Sequence, residues 1–148
     1  MKTVTICASA SFYKQVIEVQ DHLESVGIKV FIPATAKVMN ESGDFNVEHY
    51  KTWFGDDTDY PKKAALMHGH FKEVEKGDVT LVLNYEKHGV ENYIGGNVLM
   101  EMAIAFYLHK PIFVMNDIPE DSPFLEEILG MGSVPLSGNL QPLIDLCK

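Results

Sequence analysis

The run DVTLVLN, residues 78–84, constrains the fold more than any other stretch. Between its terminal Asp and Asn every residue is apolar or β-branched, with no polar alternation. That is the pattern of a strand buried on both faces, and such strands belong to parallel sheets covered by crossover helices. The remainder of the chain supplies material for those crossovers. TVTICA at 3–8 reads as a first strand, and IKVFI at 28–32 as a second, stopped by Pro33. Between them Val16, Ile17, Val19, Leu23 and Val26 recur at helical spacing, and Gly27 suits the position just past a helix end.

The alternation continues. Residues 34–60 read as irregular, mixing acids with Phe45, Tyr50, Trp53, Phe54 and Tyr60. Pro61 suits the first turn of a helix running to about residue 75, with Gly77 as its stop. After the 78–84 strand and a loop of about ten residues comes a helix starting near Asn97. Then follow a fourth strand at 111–115, a short helix at 123–131, a weak fifth strand at 133–136 and a closing helix at 140–147. Strands alternating with helices predict an α/β fold. We expect a flavodoxin-like, Rossmann-like doubly wound parallel sheet of about five strands, order 2-1-3-4-5, in three layers α/β/α. The 148 residues fit one domain, 1–148, at roughly 100–200 residues per domain.

Charge and composition narrow the function. A net charge of −9 disfavours nucleic acid as a partner, because backbone binding needs clustered Lys and Arg. It leaves a single nucleotide open, since backbone N–H groups at a helix start hold one phosphate without a basic patch. The apolar runs fall short of the ~20 residues of a membrane span, so no membrane role is expected. Cys7 and Cys147 lie at opposite ends of the chain, and Cys7 sits in an apolar run, which suggests a reducing, cytoplasmic setting. No zinc-type spacing exists, and His68 and His70 fall on different helical faces, so neither a metal nor another cofactor is expected. The DDTD run at 56–59 lacks the EF-hand pattern.

In doubly wound sheets ligands bind beyond the carboxyl ends of the strands, at the switch point between strands 1 and 3. That selects the turn at Ser9, the loop 84–96 and the Asn116-Asp117 pair. The helix leaving that loop carries VLMEMAIAFYL at 98–108, where Glu101 is the one polar residue. Helical side chains lean toward the N-terminus, so Glu101 points back at the crevice. Apolar neighbours raise its pKa while the helix dipole lowers it. A carboxylate in a partly dry pocket suits nucleophilic attack or stabilisation of an oxocarbenium-like centre. The bland alternative is a Glu that simply favours an early helical position. Gly95 and Gly96 allow a ligand to approach the backbone.

Other candidates also carry two readings. Trp53 and Tyr50 are ordinary loop packing or a lid that stacks on a base. Tyr93 is nearer the crevice and is the stronger ligand contact. Asn116 is either turn chemistry or an amide that touches ligand in its own subunit or a neighbour's. Cys7 has no base beside it in sequence and reads as a buried structural thiol.

TICAS, GDVTLVLN and GGNVLMEMAIAFYLHKPIFVMN together resemble the nucleoside 2-deoxyribosyltransferase-like family, including its nucleotide 5′-monophosphate N-glycoside hydrolases. The resemblance covers roughly residues 1–33 and 65–118, and Glu101, Ala103, Ala105 and Lys110-Pro111-Ile112 match its hallmark. It implies a flavodoxin-like fold, active sites formed in homodimers or higher homo-oligomers, and a nucleoside or nucleotide as partner. It implies Glu101 as the nucleophile on C1′, Ser9 at a sugar or phosphate contact, and Gly95, Gly96 and Asn97 in the loop holding sugar or phosphate. The chain departs in two places. His70 stands where the family often has Asp, and an imidazole there serves as acid or base near neutral pH. The loop reads Gly-Gly-Asn where many members show a G-x-G arrangement. Two functions follow as expectations: N-glycosidic cleavage or transfer through a carboxylate nucleophile, or a non-catalytic nucleotide-binding sensor of the same fold.

Overall fold

The computed structural model covers residues 1–148. Its five strands are β1 (Val4–Ala8), β2 (Val30–Phe31), β3 (Val79–Leu83), β4 (Ile112–Val114) and β5 (Val134–Pro135). They form one sheet in the order β2-β1-β3-β4-β5, with every pair parallel. The helices are α1 (Tyr13–Ser25), α2 (Ala34–Ser42), α3 (Tyr60–Lys76), α4 (Gly96–Tyr107), α5 (Leu125–Gly130) and α6 (Gln141–Cys147). This is the expected doubly wound, three-layer α/β/α arrangement. No helix is long and apolar enough to cross a membrane.

Both β1 and β3 are buried at every position, as the unbroken apolar runs require. The pleat sends alternate side chains to opposite faces. Ile6, Ala8, Leu81 and Leu83 therefore pack with α1 and α6 through Val16, Leu23, Leu143 and Ile144. Cys7, Val82, Ile112 and Val114 face the other way, toward Val74 of α3, Val98 and Met102 of α4 and Ile128 of α5. This division aims the last polarisable side chain of β1 at the α3/α4 layer.

One segment differs from expectation. Residues 34–42 form α2 rather than irregular chain, ending at Gly43 in the left-handed region at φ 75°. Only Ala36 and Met39 of α2 are buried, which leaves too thin an apolar stripe for periodicity to reveal. Beyond it the chain makes short 3-10 turns at Val47–His49, Thr52–Phe54 and Asp57–Asp59 before α3.

The junction between α3 and β3 is tied from three sides. Lys110 donates to the carbonyls of Val74, Glu75 and Gly77, capping the C-terminus of α3 with a cation where the dipole favours one. Asp78 accepts from the backbone N–H and hydroxyl of Thr3, which locks the starts of β1 and β3 together. Thr5 donates to the Glu73 carbonyl at 2.8 Å. Its hydroxyl stands only 2.1 Å from where a Cβ on Gly77 would lie. Gly77→Ala should therefore destabilise the fold by roughly 1–3 kcal/mol through overpacking. Urea unfolding of Gly77→Ala, Thr5→Ala and the double variant checks this: the alanine at 77 should cost clearly less when Thr5 is also Ala, and additive costs would exclude the clash.

Candidate active site

Cys7, His70 and Glu101 come from β1, α3 and α4 and meet beyond the carboxyl ends of the central strands. The His70 Nε2 atom lies 3.5 Å from Cys7 Sγ and 3.7 Å from Glu101 Oε2. All three residues are buried, Glu101 at 3% exposure and His70 at 6%. Local structure explains the convergence. Lys63 and His70 are seven residues apart on α3, and Asn97 and Glu101 four apart on α4, so each pair shares a helical face. The two faces meet where Lys63 donates to the Asn97 side-chain oxygen at 3.2 Å.

Burial dominates the electrostatics. It pushes the Glu101 carboxyl up to about 8, against the opposing influence of the Lys63 charge and the Cys7 thiol. It pushes the His70 imidazole down to about 4, with the Ile6 backbone acting in the other direction. The Cys7 thiol is raised well above its usual value by burial and then by Glu101. Burial and Glu101 likewise raise the Tyr13 phenol. At neutral pH the contact between His70 and Glu101 therefore joins a neutral imidazole to a neutral carboxylic acid. It is not an ion pair. At 3.7 Å it is also longer than a hydrogen bond, so the acid proton is positioned near an acceptor without being shared with it.

The pocket above this trio is lined by Ala10, Tyr13, Trp53, Lys63, Asn97 and Glu101 among others. The cavity has a volume of about 60 Å³, and the empty space around it, open solvent included, is about 560 Å³. The 3-10 segment 47–54 forms one wall. Trp53 is buried there, and Tyr50 is tied by its hydroxyl to the Asp44 carbonyl at 2.8 Å.

The candidates divide by place. Glu101, His70 and Asn97 line the pocket together. Ser9 sits at its edge, where its hydroxyl accepts from Lys87 at 2.9 Å. The Lys87 ammonium also lies 4.9 Å over the Tyr93 ring. Tyr93, Gly95 and Gly96 line a second recess, completed by residues 117–124. Gly95 has its own reason to lack a side chain, since a Cβ there would come within 2.9 Å of the Tyr93 hydroxyl. Asn116 is held inside the strand ends: its side chain donates to the Asn84 carbonyl, and its backbone N–H donates to Asn84 Oδ1, both at 2.9 Å. Sequence reasoning passed over Cys7, Tyr13, Lys63 and Lys87. The available signals were the period-two position of Cys7 and the spacing of Lys63 two helical turns before His70.

Donor atoms of Cys7, His70 and Glu101 all lie within 4.8 Å of one another, which is close enough to bracket one cation. His70 Nδ1 makes no hydrogen bond of ordinary geometry, although the Ile6 backbone is near enough to act on the imidazole. A metal-bound imidazole ordinarily anchors that nitrogen to a carbonyl or carboxylate. The trio is better described as a proton-holding cluster. No family model, curated protein or solved structure matches the chain.

The raised Glu101 pKa sets a pH dependence. A carboxyl whose pKa is higher folded than unfolded favours folding when protonated, and that stability is lost as pH rises from its usual 4.5 through about 8. Glu101→Gln keeps a neutral group of the same shape. The variant should be more stable than the parent at pH 8 by on the order of 2–4 kcal/mol, and the gap should close by pH 5. Denaturant unfolding at the two pH values measures it; a gap independent of pH contradicts the assignment.

Proposed function

We propose that the protein cleaves or transfers the N-glycosidic bond of a nucleoside or nucleoside 5′-monophosphate, with Glu101 as nucleophile and His70 as its proton partner. The observation that carries this reading is the Glu101–His70 contact, a dry acid–base pair holding one proton at the switch point of a doubly wound sheet. The reaction balances on that proton. It passes from Glu101 to His70 Nε2, leaving a carboxylate beside an imidazolium, with the nearby Lys63 charge favouring the carboxylate. The carboxylate oxygen attacks C1′ as the bond from C1′ to the base nitrogen breaks, its electron pair leaving with the base. His70 gives its proton to the departing base, and a glycosyl ester remains on Glu101. Water or a second base then takes the glycosyl group, and its proton restores the pair.

Small-molecule sites usually have volumes of roughly 300–1,000 Å³, so this cavity of about 60 Å³ is too small for a nucleoside as it stands. Segment 47–54 must therefore open for substrate, and Trp53 and Tyr50 ride on it. The burial that keeps Glu101 protonated supports a second reading, a nucleotide-binding sensor in which Glu101 does no chemistry. A homo-oligomer belongs to the proposal as well: α4 leaves Met100, Phe106 and Tyr107 at 41%, 51% and 79% exposure, an apolar face suited to a second copy. Both cysteines are free and buried, in keeping with a cytoplasmic, reducing setting.

Base release from a panel of ribo- and deoxynucleosides and their 5′-monophosphates, with and without a free acceptor base, tests the chemistry. Glu101→Gln should lower the rate about a thousandfold or more while binding persists. Unchanged release by the variant excludes Glu101 as nucleophile, and binding by both proteins with no release by either selects the sensor. The reactive form carries one proton on the pair. For the parent protein kcat/KM should hold a plateau between about 4 and about 8 and fall on both sides, as His70 gains a proton below and the pair loses its proton above. In light scattering the chain should have at least twice its monomer mass, and Tyr107→Glu should shift it toward monomer. A monomeric parent removes the oligomer from the proposal.

A further inference from the structure

Three lysines stand around the mouth of the Glu101 pocket without acidic partners. Lys51 lies between two of the 3-10 turns, Lys63 in the first turn of α3, and Lys87 in the loop after β3. Lys51 and Lys63 line the pocket, and Lys87 donates to Ser9, the residue before the lining Ala10. Each ammonium has only neutral groups beside it. Lys87 donates to the Ser9 hydroxyl at 2.9 Å and Lys63 to the Asn97 amide oxygen at 3.2 Å, while Lys51 lies 5.9 Å over the Phe54 ring. The ion pairs of the chain are elsewhere: Asp44 with His49 and Asp59 with Lys62, besides the His70–Glu101 contact.

The acids are not scarce. The chain has 21 Asp and Glu against 12 Lys and Arg. A protein this acidic that gathers three cations near one pocket, whose one lining carboxyl is the buried Glu101, holds a local positive field against its own net charge. Burial, and then the charges of Lys87 and Lys63, depress Lys51 below the usual lysine range, so Lys51 is repelled by both neighbours. An anion placed among them removes the repulsion. A phosphate monoester fits best: its charge approaches two, and its three terminal oxygens offer an acceptor to each ammonium. A lone carboxylate supplies half the charge.

We propose that Lys51, Lys63 and Lys87 form a phosphate-binding subsite at the rim of the Glu101 pocket, filled either by the phosphate of the substrate or by inorganic phosphate as a second ligand. The inference deepens the proposed function by favouring a phosphorylated substrate, and it rests on the pocket being the ligand site. Two of the lysines engage Ser9 and Asn97, so the phosphate would replace these neutral acceptors as it binds. Because Lys51 and Trp53 share the segment 47–54, binding an anion draws that wall onto the ligand.

The chain has one tryptophan, Trp53, and its ring lies 5.7 Å from Lys63 Nζ, so its fluorescence reports occupancy. Glu101→Gln is titrated with a nucleoside, its 5′-monophosphate and inorganic phosphate at low, fixed ionic strength. The expected result is that the monophosphate binds at least about tenfold tighter than the nucleoside, that Lys51→Ala or Lys87→Ala on the Glu101→Gln background each removes about tenfold of this, and that Lys51→Arg retains most of it. Saturable binding of inorganic phosphate that the lysine variants lose, with no preference for the monophosphate, assigns the second-ligand form. Equal binding of nucleoside and monophosphate with no response to inorganic phosphate overturns the subsite, and so does no response to any of the three. Base release by the parent protein separates the two ideas. Release from nucleosides and monophosphates at equal rates, with no lysine-dependent binding of inorganic phosphate, keeps the glycosidase reading and removes the subsite. Lysine-dependent phosphate binding with no release keeps the subsite and removes the glycosidase.

Discussion

A carboxylic acid kept out of water beside an uncharged imidazole is the constraint around which this site is organised. Removing a carboxylate from water is costly unless a charge or several donors compensate it. Here neither neighbour does so: Cys7 is a neutral thiol and His70 a neutral ring, and Lys63 is the one cation that favours the charged form. The fold therefore holds Glu101 protonated. Its charge appears only when something nearby accepts the proton or supplies positive charge, and in the proposed reaction a developing cation at C1′ would do the second. A carboxyl that is uncharged at rest and charged in the transition state puts the electrostatic stabilisation where it accelerates a reaction.

The sheet makes this arrangement possible. Parallel pairing of β1 with β3 brings the ends of both strands to one edge, and the pleat turns Cys7 toward α3 and α4 while Ile6 and Ala8 face α1. The height of α3 relative to the sheet is set at its far end. Lys110 caps its last carbonyls, and Thr5 holds Glu73, so His70 sits a fixed distance from β1. The Lys-Pro-Ile stretch that leads into β4 thus has a mechanical role in addition to starting a strand.

Much of this was readable in the chain. Continuous apolar runs identified β1 and β3, periodicity identified α1, Pro61 and Gly77 bracketed α3, and an apolar run after Gly95-Gly96 marked α4. The strand order followed from the alternation of elements. Glu101 stood out because it interrupts an otherwise apolar helix. What escaped was whatever depends on two distant segments meeting. Cys7 and His70 are 63 residues apart, and nothing local to either indicates their contact. α2 buries too few side chains to register as a helix. The lysines look like ordinary solvated charges in sequence, and only the placement of Lys51 and Lys63 in the pocket and the contact of Lys87 with Ser9 distinguish them. Asn116 carried two readings, a ligand contact and turn chemistry, and its side chain donates to the Asn84 carbonyl.

The most direct test of the account is the ionisation of Glu101 itself. Carbon-13 NMR of glutamate side-chain carboxyls, titrated from acid to pH 10 and assigned by comparison with Glu101→Gln, reads it without any knowledge of the substrate. The account predicts one resonance, missing in the variant, with a midpoint near 8. A Glu101 midpoint in the ordinary glutamate range, about 4.3, would mean that the carboxyl is hydrated or paired, and it would contradict the proton-holding site on which the proposed chemistry depends.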